Sequence, residues 1–246
     1  YGEALNDREK VAPGVIEVFN TPFRINVPLV VVGPQEGDSV WVGFPSEVLP
    51  DEKVLDWLVS PPNLSKLGEA EQLRGVKKIT EIGTAIRSIR IDLMTATAPS
   101  DDLQLFIGSI PLHCDKCAEL IIKADVASLA LATWEMHLAL EKSLKLVIRQ
   151  QGETPGNIHD LLKLADKATK AAKIAVDMTA LRKLPSGKEA IKARYGEGRQ
   201  RPLEEVLANY RQAMGLIASI TKSLKRKIVL NNARFLIRNP FEPIGA

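Results

Sequence analysis

Residues 134–170 decide the fold, and their sequence is WEMHLALEKSLKLVIRQQGETPGNIHDLLKLADKATK. Leu140, Leu144 and Val147/Ile148 recur at spacings of three and four residues, which places them on one face of a helix. The first half of the stretch is therefore predicted to be the end of a long helix with an apolar face.

A polar turn follows this helix. Gly152 is expected to end it, and Pro155 and Gly156 cannot continue it, because proline lacks an amide hydrogen and glycine loses much backbone entropy in a helix. Asn157 is then expected to cap a second helix, with Asp160 favoured by the helix dipole in the first turn. The stretch thus predicts an antiparallel helical hairpin.

Longer helical patterns surround this hairpin. Residues 112–151 have an almost continuous helical sequence pattern, with a break near residue 124. The pattern is apolar on two sides, as expected for a central helix of a bundle. Residues 157–184 are predicted as the return helix. The last long helix is expected to begin after Pro202. Its apolar stripe is Val206, Tyr210, Met214 (or Ala213), Ile217, Thr221, Leu224 and Ile228.

The ordered set of helical features resembles a HEPN domain, the "higher eukaryote and prokaryote nucleotide-binding" helical bundle. The matching residues are 140–145 (LEKSLK), Gly152, Pro155, 159–162 (HDLL), 193–195 (ARY) and 203–206 (LEEV). The resemblance covers residues 112–230. It implies an up-and-down bundle that forms homodimers. It also implies either a ribonuclease, often a toxin of toxin–antitoxin or defence systems, or a non-catalytic binder of nucleotides or RNA.

The ribonucleases of this family share an arginine followed, after four to six residues, by a histidine that acts as general acid or base. No arginine stands at that spacing before His113, His137 or His159. The pair left to test is Arg149 and His159, which nine residues separate. His137 falls on an apolar stripe and is expected to be a core histidine, while Glu141 and Lys142 are assigned to the helix surface.

The N-terminal part favours strands. Runs at residues 15–19, 23–27, 29–32 and 40–42 are rich in β-branched and aromatic residues, and residues 33–38 suit a hairpin loop. Residues 45–67 suggest short helices. Residues 89–93 and 103–107 alternate apolar with polar, which predicts a second hairpin. The predicted organisation is an α+β chain, mainly helical, with a small α+β module at 1–110, a HEPN-like helical bundle at 111–230 and an extended tail at 231–246.

Charge is distributed unevenly along the chain. The whole chain has a net charge of +3, but residues 1–122 hold 11 basic against 18 acidic residues, and the remainder is strongly basic. A basic half suits phosphates or an acidic partner. Equally, the acidic and basic halves could contact each other.

Six residues are the candidates for ligand binding. A basic loop predicted at residues 188–202 carries an aromatic residue, which suits phosphate contact and base stacking, although an ordinary surface loop has the same composition. The candidates are Lys145, Arg149, Arg194, Tyr195, Arg199 and Arg201.

Metal chemistry has weak support in the sequence. Asp92 is a single carboxylate where a two-metal site needs several converging oxygens. Cys114 and Cys117 form one CxxC pair after His113, but a structural zinc site has four ligands. These residues are therefore predicted to be a helix start with two buried thiols. No metal and no cofactor is expected.

Three functional hypotheses follow. The first is a non-catalytic HEPN-like module that binds a nucleotide, RNA or a protein partner. The second is a divergent ribonuclease of a toxin–antitoxin or defence system that uses Arg149 and His159. The third is a structural or assembly protein. A homodimer, no membrane association and a cytoplasmic location are expected, the last because two cysteines form no disulfide framework.

Overall fold

A computed structural model describes residues 11–18, 21–36, 39–61, 63, 66 and 68–238 of the chain. The fold is α+β and mainly helical. The strands are β1 (Val11–Val18), β2 (Thr21–Pro28), β3 (Val31–Glu36), β4 (Ser39–Phe44) and β5 (Ala233–Arg238), with a 3₁₀ turn at Val54–Trp57. The helices are α1 (Glu69–Thr95), α2 (Asp101–Lys123), α3 (Val126–Gln150), α4 (Leu161–Ala172), α5 (Met178–Lys183), α6 (Gly187–Arg194) and α7 (Leu203–Lys222).

Helix α3 lies at the centre of a helical bundle, as its two apolar sides predict. It packs against α2, α4, α6 and α7. Leu140, Leu144 and Ile148 are fully buried, and the predicted break before the helix is present, since Ala124 is left-handed and Asp125 caps the Ser128 amide at 2.9 Å. The predicted hairpin between α3 and α4 is confirmed. Its cap differs, because Asp160 rather than Asn157 accepts the Leu162 and Lys163 amides, both at 3.0 Å.

Two small antiparallel sheets accompany the bundle. In the first, β1 pairs with β2 and packs its buried side chains, among them Val15 and Ile25, against α1 and α2. In the second, β4 lies between β3 and β5. The hairpin predicted from residues 29–32 and 40–42 is confirmed, with β3 running further than expected, to Glu36. Positions 19, 37 and 38 fall outside the described residues.

The second predicted hairpin is wrong. Residues 89–93 belong to α1 and residues 103–107 to α2. In α1, Ile89, Ile91 and Leu93 are all buried because the helix is covered on one side by the β1–β2 sheet and on another by α7. In α2, Leu105 is exposed while Leu103 and Ile107 are buried, a helical and not a strand pattern.

Other predicted boundaries also shift. The division at residue 110 falls inside α2, and 113–117 is the middle of that helix rather than its start. The predicted return helix at 157–184 is two helices, α4 and α5, because Lys173 adopts a left-handed conformation. The predicted loop at 188–202 begins with α6, and the predicted tail contains β5.

The stripe predicted for the last helix is buried up to Leu224. It does not continue to Ile228, which is exposed because α7 ends at Lys222. Among the helices that the structure describes, none has both the length and the apolarity required to cross a bilayer.

Two largely buried ion pairs connect α1 to the loops around it. Arg87, fully buried in α1, donates from both terminal nitrogens to the Glu52 carboxylate and from Nε to the Pro28 carbonyl at 2.7 Å. Burial opposes ionisation of Glu52, but its hydrogen bonds with Arg87 and with the Leu49 amide hold the pKa of that carboxyl below its usual value. Asp92, also in α1, accepts from Arg226 at 2.7 Å, and burial raises its pKa.

Candidate functional site

A row of polar and aromatic side chains follows one face of α3. It consists of Trp134, His137, Glu141, Lys145 and Arg149, spaced by three or four residues, and we call it the α3 polar stripe. At 1.5 Å per residue it extends over about 22 Å. Charged and aromatic groups within a central helix are unusual, which makes this stripe the candidate site.

Glu141 is the centre of the stripe. The residue is only 5% exposed. Its Oε1 accepts from Lys145 Nζ at 2.7 Å, and both carboxylate oxygens lie within 3.2 Å of His159 Nδ1. Burial alone would raise the pKa of Glu141, but His137, Lys145 and His159 stabilise the carboxylate and lower that pKa to about 2. The carboxylate is therefore ionised and holds several donors.

His137 joins the stripe to the turn between α3 and α4. Its Nε2 lies 3.1 Å from the His159 carbonyl oxygen and donates a hydrogen bond to it. Glu141 Oε2 lies further away, at 3.6 Å, and interacts with the His137 ring electrostatically. The histidine is buried, as its place on an apolar stripe predicts. Within the described part of the chain, its Nδ1 has no hydrogen-bond partner.

His159 has the geometry of an oriented acid–base group. Its side chain is 60% exposed, while its Nδ1 faces the buried Glu141 carboxylate. The opposite ring nitrogen, Nε2, lies on the far side of the ring from that carboxylate. A carboxylate at one imidazole nitrogen fixes the orientation of the ring and leaves the other nitrogen free to face a substrate.

An open groove of about 360 Å³ lies at the C-terminal end of the stripe. It is lined by Phe106, Lys145, Arg149 and residues 153–157 of the turn. The Arg149 guanidinium lies 4.9 Å from the centre of the Phe106 ring and pairs with Asp102. Lys167 donates to the Thr154 carbonyl at 2.6 Å and holds the turn against α4.

Stacked planar groups form the other end of the stripe. Trp134 stacks on His137 with ring centres 6.2 Å apart and an angle of 13°. Arg194, at the end of α6, lies 5.1 Å from the Trp134 ring centre and 5.5 Å from that of Tyr195. Tyr195 is 66% exposed. This end therefore presents an aromatic ring backed by a cation to the solvent.

The six predicted ligand-binding residues fall into three groups. Lys145 and Arg149 share the groove, and Arg194 and Tyr195 lie together at the opposite end of the stripe. Arg199 and Arg201 pair with glutamates instead, Arg199 with Glu205 and Arg201 with Glu189 at 2.8 Å.

The predicted pair, Arg149 and His159, have different partners. His159 is held at Glu141, and Arg149 lies two helical turns further along α3, about 12 Å by helix rise. Lys145 stands between them. The assignment of Glu141 to the helix surface is wrong, because the turn carrying His159 folds over it.

The two cysteines are buried thiols, as predicted. Burial raises the pKa of Cys114 to about 12 and that of Cys117 well above its usual value. His113 contacts Glu135 at 2.6 Å rather than the thiols. The residues that the structure describes contain no group of three or more His, Cys, Asp or Glu side chains arranged to hold a metal ion.

Comparison with known proteins gives no family for this chain. No protein-family model matches the chain, and neither does any curated protein or any solved structure.

Proposed function

We propose that this chain is a non-catalytic HEPN-like binding module for single-stranded RNA, which contacts the two exposed ends of the α3 polar stripe: a phosphate in the groove at Lys145 and Arg149, and a base on Tyr195. The observation that carries the proposal is this groove. It combines Arg149 and Lys145 on one helix face, Lys145 being paired with the buried Glu141, with the open turn at residues 153–157.

Arg149 supplies the phosphate contact. Its ion pair with Asp102 is on the surface, where Asp102 is mostly exposed, and such pairs contribute only about 0–1 kcal/mol. Exchange of Asp102 for a phosphate therefore costs little. The planar guanidinium donates two parallel hydrogen bonds to phosphate oxygens, and Phe106 keeps it oriented by stacking.

The length of the stripe favours a strand of RNA over a mononucleotide. About 22 Å of helix separates Trp134 from Arg149, so a phosphate in the groove and a base on Tyr195 belong to different nucleotides. Arg194 backs the exposed Tyr195 ring, an arrangement that suits stacking of bases without sequence preference.

Fluorescence anisotropy with a labelled single-stranded oligoribonucleotide tests the proposal. We expect Arg149→Ala to weaken binding about tenfold or more, because a charge-assisted hydrogen bond to phosphate is lost, and to reduce the salt dependence of log K by about one. Tyr195→Ala should weaken binding of the oligonucleotide but not of a mononucleotide.

Arg74→Ala is the matched control, because Arg74 also forms one exposed ion pair, with Glu71 on α1. Its affinity should stay within about twofold of the unmodified chain. Binding that does not weaken between 50 and 200 mM salt, conditions in which phosphate contacts lose affinity by about an order of magnitude or more, would rule out a phosphate-contact mechanism.

A divergent ribonuclease is the second candidate, and the oriented His159 is the observation that favours it. In this case Glu141 holds the imidazole, and Arg149 or Lys145 neutralises the phosphate. His159→Ala should then abolish cleavage of the oligoribonucleotide, whereas His113→Ala, which removes a histidine paired with Glu135, should not. Unchanged cleavage by the purified His159→Ala chain would remove this candidate.

A further inference from the structure

Helix α2 has an exposed side that faces away from the bundle. Six residues at spacings of three and four form it, and we call it the α2 outer face: Asp101, Leu105, Gly108, Leu112, Lys116 and Glu119. Leu105 is 77% exposed and Leu112 is 65% exposed. Exposure of these two leucines to water is unfavourable, so their burial would stabilise an association. Positions 105 and 112 are two turns apart on the same side of the helix.

The order of residues on this face is self-complementary under a two-fold axis. Consider a second α2 that crosses the first in the antiparallel direction, with the two-fold axis between positions 108 and 109. Each residue of one copy then lies opposite the residue of the other copy for which the two residue numbers add up to 217. Leu105 then meets Leu112 of the second copy, and Asp101 meets Lys116 of the second copy. The two leucine pairs and the two Asp101–Lys116 pairs of each dimer are therefore complementary. Glu119 has no counterpart on the second α2 and pairs with Lys116 of its own chain at 3.6 Å.

Gly108 lies beside this axis. A Cβ atom built at Gly108 would have no atom of the same chain within 4 Å, so the position is open in the monomer. Glycine has no packing role there within the chain, and in the middle of a helix it costs stability relative to alanine. At a crossing point it permits close approach of two helix backbones.

We infer that the α2 outer face is the surface on which two copies of this chain associate as a symmetric antiparallel dimer. Because each copy contributes two leucines rather than a broad apolar surface, the dimer is expected to dissociate on dilution, with a Kd on the order of micromolar. The inference is independent of RNA binding, since it rests on residues outside the α3 polar stripe.

The first experiment measures mass by sedimentation velocity over a range of concentrations. The unmodified 246-residue chain should shift from its single-chain mass of 27.0 kDa to twice that value. Leu105→Asp should raise the Kd about thirtyfold or more, because two buried leucines per dimer are replaced by carboxylates. Leu73→Asp on α1 is the matched control, since Leu73 is also an exposed leucine on a helix, and it should leave the Kd unchanged.

Gly108→Arg separates folding from association. The open space at Gly108 accepts a side chain, and removal of a mid-helix glycine should raise the melting temperature of the monomer. The same side chain would separate the two helices at the crossing point and should abolish the dimer. A variant that is folded, thermally at least as stable and monomeric is therefore the expected result.

Charge reversal tests the antiparallel direction at low ionic strength. Asp101→Lys and Lys116→Asp should each weaken self-association several-fold, because each places like charges opposite one another. An equimolar mixture of the two variants should restore association as a heterodimer, and the double variant should restore the homodimer. Circular dichroism confirms that each variant is folded.

Three results would overturn the inference. The first is an unmodified chain that keeps its single-chain mass at all concentrations. The second is a dimer that persists in folded Leu105→Asp and Gly108→Arg chains, which would mean that another surface is the interface. The third is a mixture of charge variants that associates no better than either variant alone.

Discussion

Substitution of Glu141 by Gln removes one buried negative charge with almost no change in volume. In the native chain this carboxylate accepts from Lys145 and His159 and lies near His137. Glutamine keeps an accepting oxygen but leaves the mostly buried Lys145 ammonium without a counter-charge. We therefore expect Glu141→Gln to fold with reduced stability.

The pKa of Glu141 gives the magnitude of this loss. Its value of about 2 in the folded chain is below the ordinary 4.5, so ionisation of the carboxylate stabilises the fold at pH values above 4.5, and this stabilisation decreases as pH falls toward 2. With 1.36 kcal/mol per pKa unit, the contribution is about 3 kcal/mol at pH 7. At pH 3 only about half of it remains.

Urea unfolding followed by circular dichroism measures the difference. The free energy of unfolding of Glu141→Gln should be about 3 kcal/mol lower than that of the unmodified chain at pH 7, and this difference should fall to about half when the pH is lowered to 3. Glu119→Gln, which removes an exposed partner of Lys116, should change the free energy by less than about 0.5 kcal/mol at either pH. A difference that is the same at both pH values would refute the assigned role of the carboxylate charge.

Two further predictions concern buried groups. Arg87→Met should lower the free energy of unfolding by about 3–5 kcal/mol, because the mostly buried Glu52 carboxylate and two backbone carbonyls lose their donor; a loss below 1 kcal/mol in urea unfolding would contradict this. Cys114 and Cys117 should not react with a thiol reagent at pH 8 in the native chain, since their raised pKa values leave almost no thiolate, and should both react in concentrated urea. Rapid labelling of the native chain would mean that the thiols are accessible.

The sequence predicts the helical hairpin well because its signals are local. Leu140, Leu144 and Ile148 repeat with the helical period, and Gly152 and Pro155 interrupt the backbone pattern, so no distant contact is needed. The prediction fails at residues 89–93 because α1 is buried on two sides. Alternation of Ile89, Ile91 and Leu93 over five residues fits a strand and a doubly buried helix equally.

The candidate site depends on contacts that the sequence does not show. Glu141 and Lys145 have the spacing of an ordinary surface pair on a helix. Their burial follows from the turn that brings His159 over them, 18 residues further along the chain. One sequence signal does indicate the site. Polar residues at 137, 141 and 145 recur at helical spacing in a mainly apolar helix, which indicates a helix face that packs against other polar groups.

The position of β4 between β3 and β5 has a consequence for synthesis of the chain. Ser39 pairs with Arg238, so one edge of β4 finds its partner only after residues 233–238, almost 200 positions further along, have left the ribosome. Until then the β3–β4 hairpin presents open backbone donors and acceptors and the apolar Val42 and Phe44, which pair or stack with β5 in the finished fold. The helices, with their local contacts, are able to form earlier. The nascent chain is therefore most prone to mispairing at β4 until β5 has paired with it.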